Sequence, residues 1–324
     1  MGLTRRRLLQ GAAWALFGTL VSGGYAFGLE PFSLRIQRYR LTPAGWPSGL
    51  RLKIVALADI HACRPWMDPP RIHAIAEQAN SLEPDVIVLL GDYTAGHRWV
   101  TGRVEASECA GALRDLRARL GVYAILGNHD WWTDRAAQHA GKGPVMSQRA
   151  LEDAGIPVLE NDIVRLEKSG APFWIAGLGD QLAFSVPRRD RVRQGPAGDG
   201  RARFRGVDDL PGTLAKVNDR APIILLAHEP DIFPQVPGRV ALTLSGHTHG
   251  GQIRLFGWSP VVPSRYGNRY AYGHISETAV RTAGIAASAD APARHLVVSG
   301  GLGCSIMPVR VGVPPEITVV ELGA

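Results

Sequence analysis

The stretch GNHD at residues 127–130 follows directly on the apolar, β-prone run VYAIL at residues 122–126. A buried strand that ends in a glycine and then presents polar side chains is typical of the carboxyl edge of an open α/β sheet. Such sheets bind their ligands at this edge. The junction therefore predicts a functional loop at a strand end.

Four further apolar runs end in the same way. The polar residues that follow them are Asp59 and His61 after residues 54–58, Asp92 after residues 86–90, His228 after residues 223–227, and His247 and His249 after residues 240–244. Carboxylate, amide and imidazole ligands without thiolates suit divalent ions such as Mn, Fe or Zn. A purely structural role for all eight residues, with Asn128 and His129 included, is disfavoured because each unsatisfied buried polar group costs about 1 to 3 kcal/mol. The pattern predicts a metal site.

The spacing of these residues favours two ions over one. The pairs Asp59-x-His61 and His247-x-His249 each supply two ligands from one loop, and Asp92 follows a glycine that permits a tight turn. A carboxylate in such a turn suits a bridge between two ions. Ion pairs roughly 3.5 to 4 Å apart stabilise the attacking and leaving oxygens of a phosphoryl displacement.

The remaining pattern predicts an α/β fold (α+β by some schemes) with two packed mixed sheets flanked by helices and the dinuclear metal site at the carboxyl ends of strands. We expect one domain over residues 50–324, preceded by an edge strand and turn over residues 30–49. The predicted helices span residues 71–82, 104–120 and 144–154, and later short strands span residues 156–159, 163–166, 173–176, 252–255, 296–299 and 317–321. Residues 259–273, rich in Trp, Tyr, Arg and Gly, are expected to wall the pocket.

Composition excludes several classes of protein. The 324 residues carry 36 Lys and Arg against 29 Asp and Glu, a net charge of +7, which weakly favours anionic partners such as phosphates or lipid headgroups. No basic motif interleaved with aromatic residues is present, so no nucleic-acid partner is indicated. Three widely spaced cysteines exclude a disulfide scaffold. The sequence does not indicate an oligomeric state.

The amino terminus, residues 1–29, is predicted to be a signal or membrane-anchor segment. It combines Arg5-Arg6-Arg7 with an uncharged, largely apolar run from Gly11 to Gly28, which is typical of an export signal of the twin-arginine type. The run approaches the ~17 to 25 residues that span a bilayer, so an uncleaved membrane anchor is the alternative to a cleaved signal. We expect inner-membrane association, with a periplasmic body or, as the alternative, a peripheral body on the cytoplasmic face.

These blocks, in this order, resemble the calcineurin-like metallophosphoesterase superfamily. Residues 246–253, the glycines at 300–303 and residues 310–317 are similar to its membrane-associated bacterial branch, which includes exported phosphodiesterases. The resemblance implies two divalent ions (Mn, Fe or Zn), one held by Asp59, His61 and His249, the other by Asn128, His228 and His247, with Asp92 as the bridge. It implies that His129 is the catalytic residue, facing the substrate without binding metal, with Asp130 as its supporting partner.

The resemblance implies a metal-dependent phosphoesterase that hydrolyses phosphodiesters, phosphomonoesters or pyrophosphates at a membrane, on an anionic small-molecule or lipid substrate. A pyrophosphatase of UDP-diacylglucosamine-type lipid A precursors and a non-catalytic metal-binding module are the alternatives. The protein-phosphatase branch has an Asp-Arg pair after its Gly-Asp loop, whereas this chain continues Tyr93-Thr94, which disfavours phosphoprotein substrates. The arginine-rich residues 187–209 are expected to form either a solvated loop or a basic lid or membrane-contacting flap over an anionic substrate. Cys63 is expected to be a buried apolar residue, with a metal ligand as the alternative.

Overall fold

The computed structural model describes residues 22–95, 97–186, 203–278 and 293–323, together with Trp14 and Gly18. The strands in these residues are β1 (Arg35–Leu41), β2 (Leu52–Leu57), β3 (Cys63–Arg64), β4 (Val86–Leu89), β5 (Gly102–Arg103), β6 (Val122–Ala124), β7 (Asp162–Lys168), β8 (Ala171–Gly177), β9 (Phe184–Ser185), β10 (Phe204–Arg205), β11 (Ile223–Leu226), β12 (Val240–Ser245), β13 (Gly273–Thr278), β14 (Ala293–Val298) and β15 (Glu316–Leu322). The α-helices are α1 (Pro69–Ser81), α2 (Ala106–Leu113), α3 (Asn128–Trp132), α4 (Arg135–Ala140), α5 (Met146–Asp153) and α6 (Leu210–Ala215).

Two mixed sheets form the body of the protein, as the sequence predicts. The first sheet has the strand order β1-β15-β2-β4-β6, and the second has the order β13-β14-β12-β11-β8-β7. In the first, β2, β4 and β6 are parallel, while β15 pairs antiparallel with β2. In the second, β8, β11, β12 and β14 are parallel, while β7 and β13 are antiparallel edges. The parallel strands of each sheet therefore end at a common edge.

The sheets pack face to face and helices cover the outer face of the first. Alternate residues of β2 point to opposite sides: Ile54 joins the core between the sheets, while Val55 joins the core under the helices. Helix α1 contributes Ile72, Ile75 and Ala79 to that second core, because apolar residues three and four apart lie on one helical face. Asp68 caps α1 by accepting a hydrogen bond from the Arg71 backbone N–H. A third apolar cluster covers the outer face of the second sheet.

Some predicted boundaries are wrong. The helix expected over residues 104–120 ends at Leu113, because the Asn80 side chain binds the Asp115 carbonyl and the Arg117 N–H, which a continuing helix would use itself. The strand expected over residues 156–159 is a single bridge from Val158 to Ala124. The strand expected over residues 252–255 is also reduced to isolated bridges, since Gln252 has a φ of 58°.

The edge strand predicted within residues 30–49 is present as β1, although it begins only at Arg35 because residues 30–32 form a 3-10 turn. Most of the predicted amino-terminal segment, residues 1–13, 15–17 and 19–21, lies outside the described residues, as do residues 187–202 of the arginine-rich stretch. Within the described ranges, every helix is too short or too polar to cross a bilayer.

Candidate metal centre

Five strand ends from both sheets meet at one place. The first sheet brings Asp59, Asp92 and Asn128 from the loops after β2, β4 and β6, and the second brings His228 and the His247-x-His249 pair from the loops after β11 and β12. The two sheets are tied together here, because His228 Nδ1 lies 2.6 Å from the Leu90 carbonyl oxygen, to which it donates.

The first ligand cluster contains Asp59, His61 and His249, all buried, with one ligand atom of each within 4.8 Å of the others. His249 Nε2 lies 3.5 Å from Asp59 Oδ1 and 3.0 Å from His61 Nε2. The Asp59 carboxylate also accepts from the His247 backbone N–H, at 2.9 Å for Oδ1 and 3.1 Å for Oδ2. That contact joins the loop after β2 to the loop after β12.

The second cluster contains Asp92, His228 and His247. His247 Nδ1 lies 2.8 Å from Asn128 Oδ1, so the buried Asn128 amide adjoins the same cluster. The two clusters of three and the adjoining Asn128 bring the seven predicted metal ligands into one region of the molecule.

Asp92 belongs to both halves of the centre. Its Oδ2 lies 3.4 Å from His61 Nε2 in the first cluster and 3.3 Å from His228 Nε2 in the second. Its Oδ1 accepts from the His129 backbone N–H at 2.8 Å, which fixes the orientation of the carboxylate. One oxygen is thus held between imidazoles of the two clusters.

The backbone of the ligand loops is strained. Non-glycine residues in the left-handed region include five of the predicted ligands: Asp59 (φ 52°), His61 (φ 45°), Asp92 (φ 59°), His247 (φ 68°) and His249 (φ 51°). Each such residue costs on the order of 1 kcal/mol, and strain of this kind concentrates at functional sites. The curled loops turn side chains two residues apart toward the same point.

Gly127 is required by close packing at the centre. A Cβ atom there would overlap the Asp92 carboxylate and the His228 ring. Gly91 has a φ of 93°, and a Cβ there would overlap the backbone of Gly127. The glycines that precede Asn128 and Asp92 therefore let the two loops touch.

Asp130 clamps these two loops together. Its Oδ2 accepts from the backbone N–H groups of Asp92 and Gly127, both at 2.9 Å, and its Oδ1 accepts from that of Tyr93 at 3.1 Å. Burial, followed by the charge of Asp92, raises the pKa of Asp130 to about 6. The structure thus places Asp130 as the support of the Asp92 loop and not of the His129 ring.

His129 is half-buried at the edge of the centre. Its ring meets the His61 ring edge to face at 4.9 Å and lies 5.2 Å from the Trp132 ring. Its Nε2 lies 3.3 Å from Ser305 Oγ. Although His129 adjoins His61 and Asp92, its accessible ring can also reach a molecule outside the ligand clusters.

The residues fit a divalent cation. His228 Nε2 is buried and has no hydrogen-bond partner among the described residues, while its Nδ1 is engaged by the Leu90 carbonyl. A histidine held at Nδ1 in this way directs its Nε2 into the centre, where a bound cation would take the place of the Nε2 proton, as at metal-binding histidines. The facing His61 and His249 nitrogens likewise need a proton or a cation between them.

Cys63 belongs to none of the described ligand clusters and is buried in β3.

Burial sets the protonation of the centre. It lowers the pKa of His61 to about 3 and that of His247 to about 4, so both imidazoles are neutral ligands at pH 7. It raises the pKa of Asp59 to about 7, an effect that His228 opposes and Asp92 increases. In the metal-free centre, the effect of burial on Asp92 is outweighed by the charge of protonated His228, which holds the pKa of Asp92 well below the usual range.

These shifts predict a pH dependence of metal binding. Asp59 has a higher pKa in the metal-free fold than in the unfolded chain, where the value is about 3.9. Its contribution to the free energy of unfolding is fully present below that pH and is lost as the pH rises through about 7. Below about pH 7 a cation must displace the Asp59 proton, so we expect Mn²⁺ affinity to fall as pH decreases, by up to about tenfold per pH unit. Titration calorimetry in buffers of different ionisation enthalpy should detect the released proton. An affinity independent of pH between about 6 and 8 would contradict this assignment.

Sequence reasoning missed two buried carboxyl groups beside the centre. Asp180 and Glu229 lie within 4.8 Å of His228 when one ligand atom of each is counted. Asp180 follows Gly179 after the parallel strand β8, and Glu229 directly follows His228. Taking the first polar residue after each buried strand as a candidate ligand, as for the other strand ends, would have identified Asp180. Burial, followed by the charge of Glu229, raises the Asp180 pKa well above its usual range.

Arg310 is a third residue whose role only the structure shows. It is fully buried, and its guanidinium donates to the carbonyls of Gly300, Gly301, Gly303 and Val313. Its Nη2 also lies 3.4 Å from His249 Nδ1. Arg310 therefore holds the glycine-rich loop 300–303 against the back of a predicted metal ligand.

Comparison with known families agrees with this geometry. The family described as calcineurin-like phosphoesterase matches residues 52–251, which contain every predicted ligand and His129. The chain belongs to this family. With its ligand clusters, membership identifies the chain as a metal-dependent phosphohydrolase, so the predicted superfamily and enzyme class are confirmed.

Relatives of this phosphoesterase align along its whole length. The chain is 30% identical to the metallophosphoesterase YkuE of Bacillus subtilis (strain 168), over 99% of this chain and 98% of that protein. It is 28% identical to the phosphodiesterase YaeI of Escherichia coli (strain K12), over 99% of both chains. Among solved structures, the purple acid phosphatase PPD1 of yellow lupin aligns with a TM-score of 0.38 and 12% identity, over 82% of this chain and 47% of that one.

Proposed function

We propose that the chain is a phosphodiesterase with two divalent cations at its centre. The observation that carries this proposal is the position of Asp92 Oδ2, 3.4 Å from His61 Nε2 and 3.3 Å from His228 Nε2. A carboxylate oxygen shared between two ligand clusters suits a bridge between two ions. We assign Asp59, His61 and His249 to one ion and Asn128, His228 and His247 to the other, and the donor set suits Mn, Fe or Zn.

The cations, when bound, would supply positive charge to the phosphoryl oxygens and lower the pKa of an attacking water. The chain's own residues position the reactants. The backbone N–H of His129 holds the Asp92 carboxylate. To the half-buried His129 ring, whose Nε2 lies 3.3 Å from Ser305 Oγ, we assign the donation of a proton to the departing oxygen. Trp132 restricts this ring on one side, since its own Nε1 is anchored to the Leu182 carbonyl at 2.7 Å.

A cavity beside His247 supports a diester substrate. It has a volume of about 220 Å³, and its walls include Leu182, Phe204 and Pro263. Phe204 stacks on Trp132 with the ring centroids 4.8 Å apart, so the cavity reaches toward His129. A phosphodiester carries an organic group besides the leaving group, and this cavity can hold it. The only organic group of a monoester is the leaving group. The phosphodiesterase name of the relative YaeI is consistent with this choice.

Arg265 also lines the cavity, as expected for a pocket wall within residues 259–273. Its guanidinium lies 3.7 Å from the Asp231 carboxylate, and its Nη2 donates to the Asp231 carbonyl at 3.0 Å. Asp231 partly neutralises the charge of Arg265, and Glu229 also lines the cavity. The cavity therefore does not favour a free phosphate group, which carries two negative charges. This also supports a substrate whose second ester group, and not a second phosphate, occupies the cavity.

The proposed activity predicts a preference between two soluble substrates. With Mn²⁺ added, the chain should hydrolyse bis-p-nitrophenyl phosphate with a kcat/KM at least about tenfold above that for p-nitrophenyl phosphate, because only the diester has an ester group besides the leaving group that can fill the cavity. Chelation should remove the activity and Mn²⁺ should restore it. A preference for the monoester would contradict the assignment. Absence of diester turnover with every divalent ion tested would also contradict it.

The substrate class and location extend this proposal. We infer that the natural substrate is an anionic phosphate compound, either a small molecule or a lipid, met at the inner membrane. The uncharged run from Gly11 to Gly28 behind Arg5-Arg6-Arg7 supports membrane association. Fusing the amino-terminal 35 residues to a reporter that is active only after export, and fractionating the cells, would test both the export and the membrane attachment.

A further inference from the structure

An exposed apolar surface borders the metal centre, and we name it the apolar rim. It comprises a tight hairpin, the segment that directly follows it and a neighbouring loop, with the members Leu255, Phe256, Trp258, Val261, Ile306 and Met307. Phe256 is 107% exposed, and the others are between 39% and 67% exposed. Single exposed apolar residues are ordinary, but a continuous group of large ones marks an interaction surface.

Hydrogen bonds show that the hairpin and the loop form one surface. Leu255 and Trp258 close the hairpin with two backbone hydrogen bonds of 2.8 and 3.0 Å. The Gln252 side chain donates to the Met307 carbonyl at 2.8 Å and accepts from the Ser305 N–H at 2.9 Å. Since Gln252 lies three residues before Leu255, it fixes the hairpin beside the loop.

Phe256 is unfavourably placed for a protein in water alone. It has a φ of 51° and precedes Gly257 with a φ of 82°, a turn in which asparagine and glycine are preferred. An aromatic residue there combines backbone strain with full exposure of its ring. No contact within the described residues offsets either effect, so the placement suits a ring that is buried against a partner.

The amino-terminal run reaches the body of the protein beside the rim. The Arg310 N–H donates to the Ala26 carbonyl at 3.0 Å, three residues after Met307. The residues around Ala26 add further exposed side chains, Tyr25, Phe27 and Leu29, at 44%, 43% and 58%. They end the uncharged run that starts at Gly11, behind Arg5-Arg6-Arg7. A bilayer that accepts this run would therefore meet the apolar rim.

We propose that the apolar rim docks on the surface of a phospholipid bilayer, with Phe256 and Trp258 in the interfacial layer. Aromatic side chains favour that layer, and the net charge of +7 favours anionic headgroups. Ser305, next to Ile306 in the rim, has its Oγ 3.3 Å from His129 Nε2. Docking would thus hold the metal centre at the membrane surface, beside the phosphate groups of membrane-resident molecules.

The buried native cysteines allow a direct test. Cys63, Cys109 and Cys304 are all buried, so a polarity-sensitive fluorophore will label a new surface cysteine selectively. We would label Phe256→Cys in the full chain and use Met146→Cys as the matched control. Met146 is 47% exposed at the start of α5, outside the rim. The probe membrane is a vesicle of phosphatidylcholine with a minor fraction of phosphatidylglycerol.

On vesicle binding, the label at position 256 should shift to the blue and be quenched by nitroxide-bearing phospholipids, while the label at position 146 stays in water. A label at 256 that stays in water on vesicle-bound protein would overturn the proposal, since the amino-terminal run alone would then bind. A label at 256 already shielded without vesicles would overturn it too, because the amino-terminal segment or a second copy would then cover the rim. Absence of vesicle binding would have the same consequence.

A second variant keeps the proposal separate from the proposed activity. Phe256→Ser combined with Trp258→Ser should lower the vesicle partition coefficient about tenfold, since each removes an aromatic ring that docking would bury in the bilayer surface. The same variant should hydrolyse the water-soluble bis-p-nitrophenyl phosphate at the wild-type rate, because neither residue lies in the metal centre. An unchanged partition coefficient would contradict docking by the rim, whatever the outcome of the substrate assay.

Discussion

Replacing Asp92 by Asn is expected to lower phosphodiester hydrolysis by at least about 10³-fold, because the neutral amide cannot bridge two cations. The fold should persist. The amide oxygen can still accept from the His129 N–H at the position of Oδ1, while the amide nitrogen takes the place of Oδ2 between His61 and His228. Elemental analysis of the purified variant should show fewer bound ions per chain than in the wild type.

Asp85→Asn is the matched control for this substitution. Asp85 is also buried, but it binds the Lys53 N–H at 2.8 Å and Lys168 Nζ at 2.5 Å, at the opposite, amino-terminal end of β4. This variant should lose thermal stability while keeping its ions and activity. If Asp92→Asn kept both wild-type activity and wild-type metal content, Asp92 would have no bridging role.

His129→Asn is expected to lower kcat by about 10² to 10⁴-fold for substrates with poor leaving groups, the range usual for a lost general acid. The backbone N–H that holds Asp92 is unchanged by this substitution, so metal content should match the wild type. For bis-p-nitrophenyl phosphate the loss should be smaller, because p-nitrophenolate leaves without needing a proton. The measurement is kcat for a series of diesters with leaving groups of increasing pKa.

The size of the loss across that series distinguishes two roles. Equal losses for good and poor leaving groups would show that His129 stabilises charge on the phosphoryl group and donates no proton. Loss of metal in His129→Asn would show that it is a ligand, as its proximity to His61 and Asp92 permits. His139→Asn on the exposed end of α4 serves as the control and should leave both kcat and metal content unchanged.

The strand ends of this centre could be predicted from the sequence because burial leaves a simple pattern. The strands β2, β4 and β11 are almost entirely apolar, so the first polar residue after each one stands out. The parallel arrangement then brings such residues to one edge. The fold class and the gathering of Asp59, Asp92 and His228 depend only on these local features.

Other features depend on distant contacts and could not be predicted. The early end of α2 comes from the Asn80 side chain on another helix, which the local pattern does not show. Asp59 and His247, both left-handed, are joined by a hydrogen bond between loops of different sheets. Similarly, Arg310 is separated by 61 residues from His249, which it supports. Only tertiary structure brings such partners together.

The most direct test of the account is the anomalous scattering of manganese in crystals grown with Mn²⁺. We predict two peaks per chain, each within about 2.0 to 2.4 Å of an Asp92 oxygen. One should also contact Asp59, His61 and His249, and the other Asn128, His228 and His247. A single peak, or two peaks of which neither contacts Asp92, would contradict a centre in which one carboxylate bridges two ions.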